Sequence, residues 1–223
     1  MKMAAVIVFD LNETLLDMSA LDSFFVTVFG DRAARFEWFQ TLEGIMLTSI
    51  TLGEGRSFSE LALAALQMTA EKHQVKLFPE NESNLSEAMQ QLFPYPEVRE
   101  GLEMLRANGF RLAALTNGAA SIARRQVEFA VLTGYFEKVL SAEDSGELKP
   151  SAAAYQYAAK QLGIKTSEIL MVAAHPWDIA GALAAGGEAA FIARPNKALN
   201  PGGRPPKFHG RDLIEVARQI IKQ

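Results

Sequence analysis

A doubly wound parallel α/β sheet interrupted by a helical block is the fold the sequence predicts, on three observations. Four short apolar runs, at 4–9, 111–116, 169–174 and 189–193, are continuous rather than alternating, as strands buried on both faces of a parallel sheet are. Helical patterns separate the later runs, so strand and helix alternate from about residue 96 to the end. Between the first run and that alternation lie about 75 residues with helical spacing and no convincing strand.

Taken in order, the first run drives Val6, Ile7, Val8 and Phe9 into Asp10, with Asn12 and Thr14 following at two-residue intervals. A buried strand gains nothing in packing from ending in a carboxylate, so Asp10 needs a chemical explanation. In the helical block, Phe24, Phe25, Val28 and Phe29, then Phe36, Phe39, Leu42 and Met46, recur at helical intervals; Leu61, Ala62, Ala65 and Leu66 continue the pattern. The two prolines of FPYPE (93–97) stop helix on both sides and mark the return to the sheet. EVREGLEMLRANG puts Val98, Leu102 and Leu105 on one face, with Gly109 as the stop. SAAAYQYAAKQLG carries a stripe of Tyr155, Ala158, Ala159 and Leu162, and the last helix a stripe of Leu213, Val216, Ala217, Ile220 and Ile221. Segment 194–210, rich in Pro, Gly and basic residues, reads as a surface loop. The expected division is a core of residues 1–16 and 94–223 with a helical insertion at 17–93.

Composition narrows the function class. A formal net charge of −4 argues against nucleic acid or an anionic membrane as partner. The absence of cysteine removes thiolate metal sites and a cysteine nucleophile, and the three histidines, His73, His175 and His209, include no pair at metal-ligand spacing. The N-terminal apolar run is cut off by Asp10, too early for a secretory signal, and no run of 18 apolar residues exists to span a membrane. The expectation is a cytoplasmic protein acting on a small molecule, with the phenylalanine-rich faces of the insertion as the surface on which a homodimer would form.

In an open parallel sheet, ligands bind beyond the carboxyl ends of the strands. The first strand ends in Asp10, the second in Thr116-Asn117, and the third before His175-Pro176-Trp177-Asp178; Lys149-Pro150 precedes a helix. Two carboxylates, a lysine, a histidine and small donors would share one rim. A carboxylate held ionised by a cation and aimed by hydrogen-bond donors is a nucleophile.

Asp10 with Thr14, then Thr116-Asn117, then Lys149-Pro150, then a strand ending before Asp178, resembles the ordered four-part pattern of the haloacid dehalogenase superfamily over essentially the whole chain. The resemblance implies a Rossmann-like core with an inserted α-helical cap. Most members are Mg²⁺-dependent phosphatases, which need an acid two residues after the nucleophile and an acid-rich fourth motif. Here those positions are Asn12, which cannot donate a proton as a general acid, and Ala173-Ala174. Carbon–halogen cleavage needs neither group, because a halide leaves unprotonated.

In detail the chain is similar to the L-2-haloacid dehalogenase branch, through RLAALTNGA, LKPSAAAY, VAAHPWDIAGA and RAARFEWF. That likeness implies a metal-independent hydrolase with no cofactor. It implies Asp10 as nucleophile, Lys149 as its cationic partner, and Asp178 as water activator or lysine partner. Thr14, Thr116, Asn117 and Tyr155 would contact nucleophile or substrate, Asn12 and His175 would join the substrate- or halide-binding residues, and Arg32, with Arg35 as neighbour and competitor, would receive the halide together with Asn117. The branch has Tyr-Gly where this chain has Asn12-Glu13, a serine where it has Ala173, and an asparagine where it has His175. His175 is expected in the pocket, with a base near the ester as one role. Trp177 is expected to anchor packing, and His73 and His209 to lie at the surface. An atypical phosphatase and a non-catalytic member of the fold are the alternatives.

Overall fold

The structure, a computed structural model, describes residues 6–223; Ala4 and Ala5 of the first predicted strand lie outside the described residues. Strand β1 (Val6–Phe9) leads into a short antiparallel pair, β2 (Leu16–Asp17) with β3 (Phe93–Pro94). Between the two partners run helices α1 (Asp22–Phe29), α2 (Ala34–Leu52), α3 (Phe58–Lys72) and α4 (Pro79–Ala88). The chain then alternates α5 (Val98–Ala107), β4 (Arg111–Thr116), α6 (Ala120–Phe129), β5 (Lys138–Ser141), α7 (Ala152–Leu162), β6 (Ile169–Ala173), α8 (Pro176–Ala184), β7 (Glu188–Ile192), β8 (Phe208–Gly210) and α9 (Leu213–Ile221).

The six-stranded sheet has the order β5-β4-β1-β6-β7-β8, parallel throughout. Its strands are apolar on both faces for a visible reason. Val6 and Val8 pack with α7 and α8 through Ala158, Leu162 and Ile179. Ile7 and Phe9 face the other way, with Leu102 of α5, Val127 of α6 and Val216 of α9. Helix α5 approaches α9 closely because residue 101 is glycine; a Cβ there would lie 2.5 Å from Leu213 Cγ. The Gly109 and Gly163 stops adopt the left-handed conformation at φ 81° and 69°.

Two strands of the six-stranded sheet depart from expectation, as does the short β2–β3 pair. β5 is four residues at a sheet edge, too short for its apolar content to stand out. β8 takes residues 208–210 from the end of the segment read as a surface loop, and its exposed middle residue, His209, hides the pattern. Helices α2 and α3 pack as a pair, with the buried Trp38 indole donating to the Ala62 carbonyl at 2.9 Å. Phe25, Leu42, Met46, Leu61 and Leu66 join the same apolar cluster as Ile7 and Phe9, so the helical insertion and one face of the sheet share a core. No helix among the described residues is long and apolar enough to cross a membrane.

Candidate active site

Strand register builds the site. Phe9 stands opposite Ala114 of β4 and Val172 of β6, so Asp10 falls between the carboxyl ends of its two neighbours. Asp10 is 4% exposed. Lys149, 0% exposed, comes from the loop before α7 and donates to Asp10 Oδ1 at 2.9 Å and to Asp178 Oδ2 at 2.6 Å. Thr14 donates its hydroxyl to Asp10 Oδ2 at 2.6 Å while accepting from the Ala174 N–H at 2.9 Å. The fourth motif thus acts here through backbone, where its side chains are alanine. Tyr155 packs its ring in the core and donates its hydroxyl to Asp178 Oδ1 at 2.7 Å. Gly181 permits this, since a Cβ there would lie 2.5 Å from the Tyr155 hydroxyl.

Burial alone would raise the Asp10 carboxyl, but Lys149, His175 and Thr14 outweigh it and hold the group well below the usual carboxylate range. Burial likewise works against the charge on Lys149, and the two carboxylates prevail and raise it. Asp178 moves upward because burial, helped by the Asp10 charge, outweighs the pull of Lys149. The cluster therefore pairs one buried cation with an acid kept anionic and an acid made more basic.

His175 corrects an expectation. Its Nδ1 lies 3.2 Å from Asp10 Oδ2 and its Nε2 3.1 Å from Glu13 Oε2. Burial opposes its charge, yet hydrogen bonds to Asp10 and Glu13 push it up to about 9. At neutral pH it is an imidazolium donating through both nitrogens, and so is no base.

Asn117 and Arg32 also stand elsewhere than expected. The Asn117 amide brackets the Lys149 backbone, accepting its N–H at 2.7 Å and donating to its carbonyl at 3.0 Å, with Met46 Sδ at 3.2 Å from the same nitrogen. It fixes the lysine and leaves no proton for a halide. Arg32 lies exposed in the turn before α2, outside the cluster. Arg35, one turn on, points inward and donates to Asp22 at 2.5 Å, with Glu13 at 4.0 Å. Thr116 is buried, and its oxygen accepts the Gly118 N–H at 3.2 Å. Trp177 is half-buried, stacks on the His175 ring with centroids 4.9 Å apart and donates to Glu43 at 2.9 Å. His73 and His209 are exposed.

Several site residues escaped the sequence reading. Glu13 sits at φ 58°, a conformation costly for a side chain other than glycine, at the position where the branch has glycine. His175 and Lys197 hold it there, the lysine at 2.6 Å from Oε2. Gln126, buried on α6, donates to Asn12 Oδ1 at 3.0 Å across 114 residues of sequence. The departure from Tyr-Gly was the available signal for Glu13; nothing local marks Lys197 or Gln126.

Among the described residues no group of three or more histidine or acidic side chains is arranged to hold a metal ion. Both Asp178 oxygens are taken by Lys149 and Tyr155, and alanines stand where further acids would be needed.

Comparison with known proteins agrees with this architecture. Residues 4–186 match the family model described as haloacid dehalogenase-like hydrolase. The chain is 31% identical to (S)-2-haloacid dehalogenase 2 of Pseudomonas sp. (strain CBS-3), covering 90% of this chain and 88% of that one. It is 32% identical to haloacetate dehalogenase H-2 of Moraxella sp. (strain B) over 70% of each. The L-2-haloacid dehalogenase structure from Xanthobacter autotrophicus superposes with a TM-score of 0.91, covering 98% of both chains at 21% identity, a likeness of fold. This chain belongs to the haloacid dehalogenase-like hydrolases, in their 2-haloacid dehalogenase branch.

Proposed function

We propose that the protein is a hydrolytic dehalogenase of small 2-haloacids, working through an ester of Asp10 without a metal ion. The observation that carries this reading is the Asp10 carboxylate, buried at a strand end and kept anionic by Lys149, His175 and Thr14. The names of the relatives, 2-haloacid and haloacetate dehalogenases, supply the substrate class.

The two Asp10 oxygens are not equivalent. Oδ2 accepts from both Thr14 and His175, whereas Oδ1 accepts only from Lys149 and keeps a lone pair free. Oδ1 is therefore the attacking atom. It forms a bond to C2 of the substrate as the carbon–halogen pair leaves with the halide, inverting that carbon. Thr116 and Lys149 face the substrate carboxylate. Water then adds to Asp10 Cγ, giving up a proton to Asp178, whose raised basicity suits it to the task. Negative charge develops on Oδ2, where the Thr14 hydroxyl and the His175 imidazolium already point, as in an oxyanion hole. The Cγ–Oδ1 bond breaks, Lys149 protonates the departing alkoxide, Asp178 returns the proton to Lys149, and the second water proton, left on the Asp10 carboxyl, passes to solvent as the carboxylate re-forms.

The test is halide release from 2-chloropropionate and haloacetate, with and without chelator, for wild type and Asp10→Asn. Chelator-insensitive release that disappears in Asp10→Asn supports the reading. Metal-dependent phosphate release from p-nitrophenyl phosphate, with no halide from a haloacid panel, overturns it in favour of an atypical phosphatase.

A further inference from the structure

With Asn117 engaged and Arg32 outside the cluster, the halide lacks the cradle the sequence suggested. A second feature of the rim offers one. Gln126 is 1% exposed, and its Nε2 donates both to the Met89 carbonyl at 2.6 Å and to Asn12 Oδ1 at 3.0 Å. Because a carbonyl can only accept, the first bond fixes which end of the Gln126 amide is nitrogen. The second then fixes Asn12 with its oxygen toward Gln126 and its NH₂ turned away. That NH₂ has no hydrogen-bond partner among the described residues, although Asn12 is only 7% exposed. The only buried side-chain nitrogen or oxygen without a partner among the described residues is Arg194 Nη2, so the Asn12 NH₂ keeps access to the space beside it and is free to donate there.

Asn12 and Gln126 line a cavity of about 70 Å³ between the insertion and the core. The other walls include Phe58, Leu63, Leu85 and Met89 from the insertion and Ile122 of α6, with no cationic side chain. Gly118, directly after Asn117, is also among its lining residues. A small, mostly apolar chamber whose donors are the fixed Asn12 N–H group and the hydroxyls of Ser59 and Ser86 suits a polarisable ion with diffuse charge. Asn12 also occupies the position two residues past the nucleophile, where the superfamily's phosphatases serve the leaving group.

We propose that this chamber receives the departing halide, with Asn12 as its hydrogen-bond donor and Gln126 as the positioning residue that aims it. The inference rests on the dehalogenase reading and gives that reaction its leaving-group subsite. As the carbon–halogen bond breaks, the halide carries off the bonding pair and accepts from the Asn12 N–H. A neutral donor holds the ion less tightly than an arginine would, so product leaves readily.

The experiment reads halide binding without turnover. Bromide is titrated against the full-length chain and followed by the excess linewidth of its NMR signal, for wild type, Asn12→Ala, Asn12→Asp and Gln126→Met. Wild type is expected to broaden bromide saturably, with chloride competing and propionate not. Asn12→Ala should weaken bromide by about tenfold, the worth of one buried hydrogen bond. Asn12→Asp is nearly isosteric and keeps the Gln126 contact, so a melting temperature close to wild type separates loss of the donor from loss of fold. Gln126→Met should give a smaller weakening of bromide, together with a rise in KM that differs between chloro and bromo substrates. Absence of saturable broadening in wild type, unchanged bromide affinity in Asn12→Ala and Asn12→Asp, or displacement of bromide by propionate would each overturn the proposal. Bromide binding lost with Asn12 in a protein that releases no halide from haloacids contradicts the dehalogenase reading and leaves this site standing. Halide release with Asn12-independent bromide binding does the reverse.

Discussion

The strand-end rim and the face that the helical insertion presents to it are built on different rules. On the rim, Asp10, Lys149 and Asp178 are buried, and each charge meets its partner at 2.9 Å or less. On the side of the insertion, an open cleft of about 320 Å³ is lined by Glu13, Glu43, Lys197, Trp177 and Phe39. Its pairings are uneven: Glu13 meets Lys197 at 2.6 Å, while Glu43 lies 3.7 Å from Lys197 and 3.9 Å from His175, and Arg35 lies 4.0 Å from Glu13. Buried ions need complete pairing because desolvation is severe, whereas Glu43, the partly exposed acid of the cleft, shares the work with water. The chemistry is therefore fixed by the sheet, while the insertion shapes entry and selection. His175 is the joint between them, with one nitrogen on the nucleophile and the other on Glu13.

The contrast is broken most severely at Lys149. Lys149→Met leaves buried Asp178 with no cation and buried Asp10 with His175 as its one remaining cation. It is expected to cost about 3–5 kcal/mol by denaturant unfolding and to abolish turnover. A folded, active Lys149→Met would refute the account of the rim. The joint comes next: His175→Asn keeps a neutral donor but removes the positive charge from the oxyanion hole. Hydrolysis of the ester should slow by about 100-fold, so that the ester accumulates in a quenched-flow mass measurement. If halide-release burst and steady-state rates stay equal, His175 has no such role.

The pH dependence follows from the same residue. A folded-state value of about 9 against an ordinary 6.5 means that stability from His175 is complete below about pH 6.5 and is lost as pH rises through about 9. Melting temperature should fall over that window in wild type and stay flatter in His175→Asn. The lowered Asp10 value acts in the opposite sense, contributing above the ordinary carboxylate range and fading in strong acid.

Smaller effects sharpen the comparison. Tyr155→Phe removes one hydrogen bond from Asp178 and should cost about 1 kcal/mol, with kcat falling more than KM rises. Arg35→Ala, which frees Asp22 and loosens Glu13, should cost more than Arg32→Ala. The latter is expected to change stability by less than about 0.5 kcal/mol and to leave halide release intact. A large loss of activity in Arg32→Ala would show that the insertion closes further than this structure places it.

What could be read from sequence divides along the same line. Asp10, Thr14 and Asp178 were legible because each follows a buried apolar strand, where a polar residue has no packing reason to stand, and Lys149 through the Lys-Pro element of the family pattern. Tyr155 announced itself by its spacing from Lys149. The contacts of Asn117, Gln126, Glu13 and Lys197 were not legible, because they depend on side-chain direction and on elements far apart in sequence. Arg32 and Arg35 differ by one helical turn, and only the observed start of α2 at Ala34 decides which of them turns inward. Strands β5 and β8 were missed because strands of four and three residues carry too little periodicity to exceed that of a loop.

The central claim is that Asp10 itself forms the ester and that water attacks its carboxyl carbon. A single-turnover reaction with 2-chloropropionate in oxygen-18 water tests it most directly, with the 2-hydroxy acid and the peptide containing Asp10 both weighed afterwards. The account predicts solvent oxygen in the Asp10 carboxylate and an unlabelled product in that first turnover. Label in the product and none in Asp10 would mean that water attacks the substrate directly, and would contradict it.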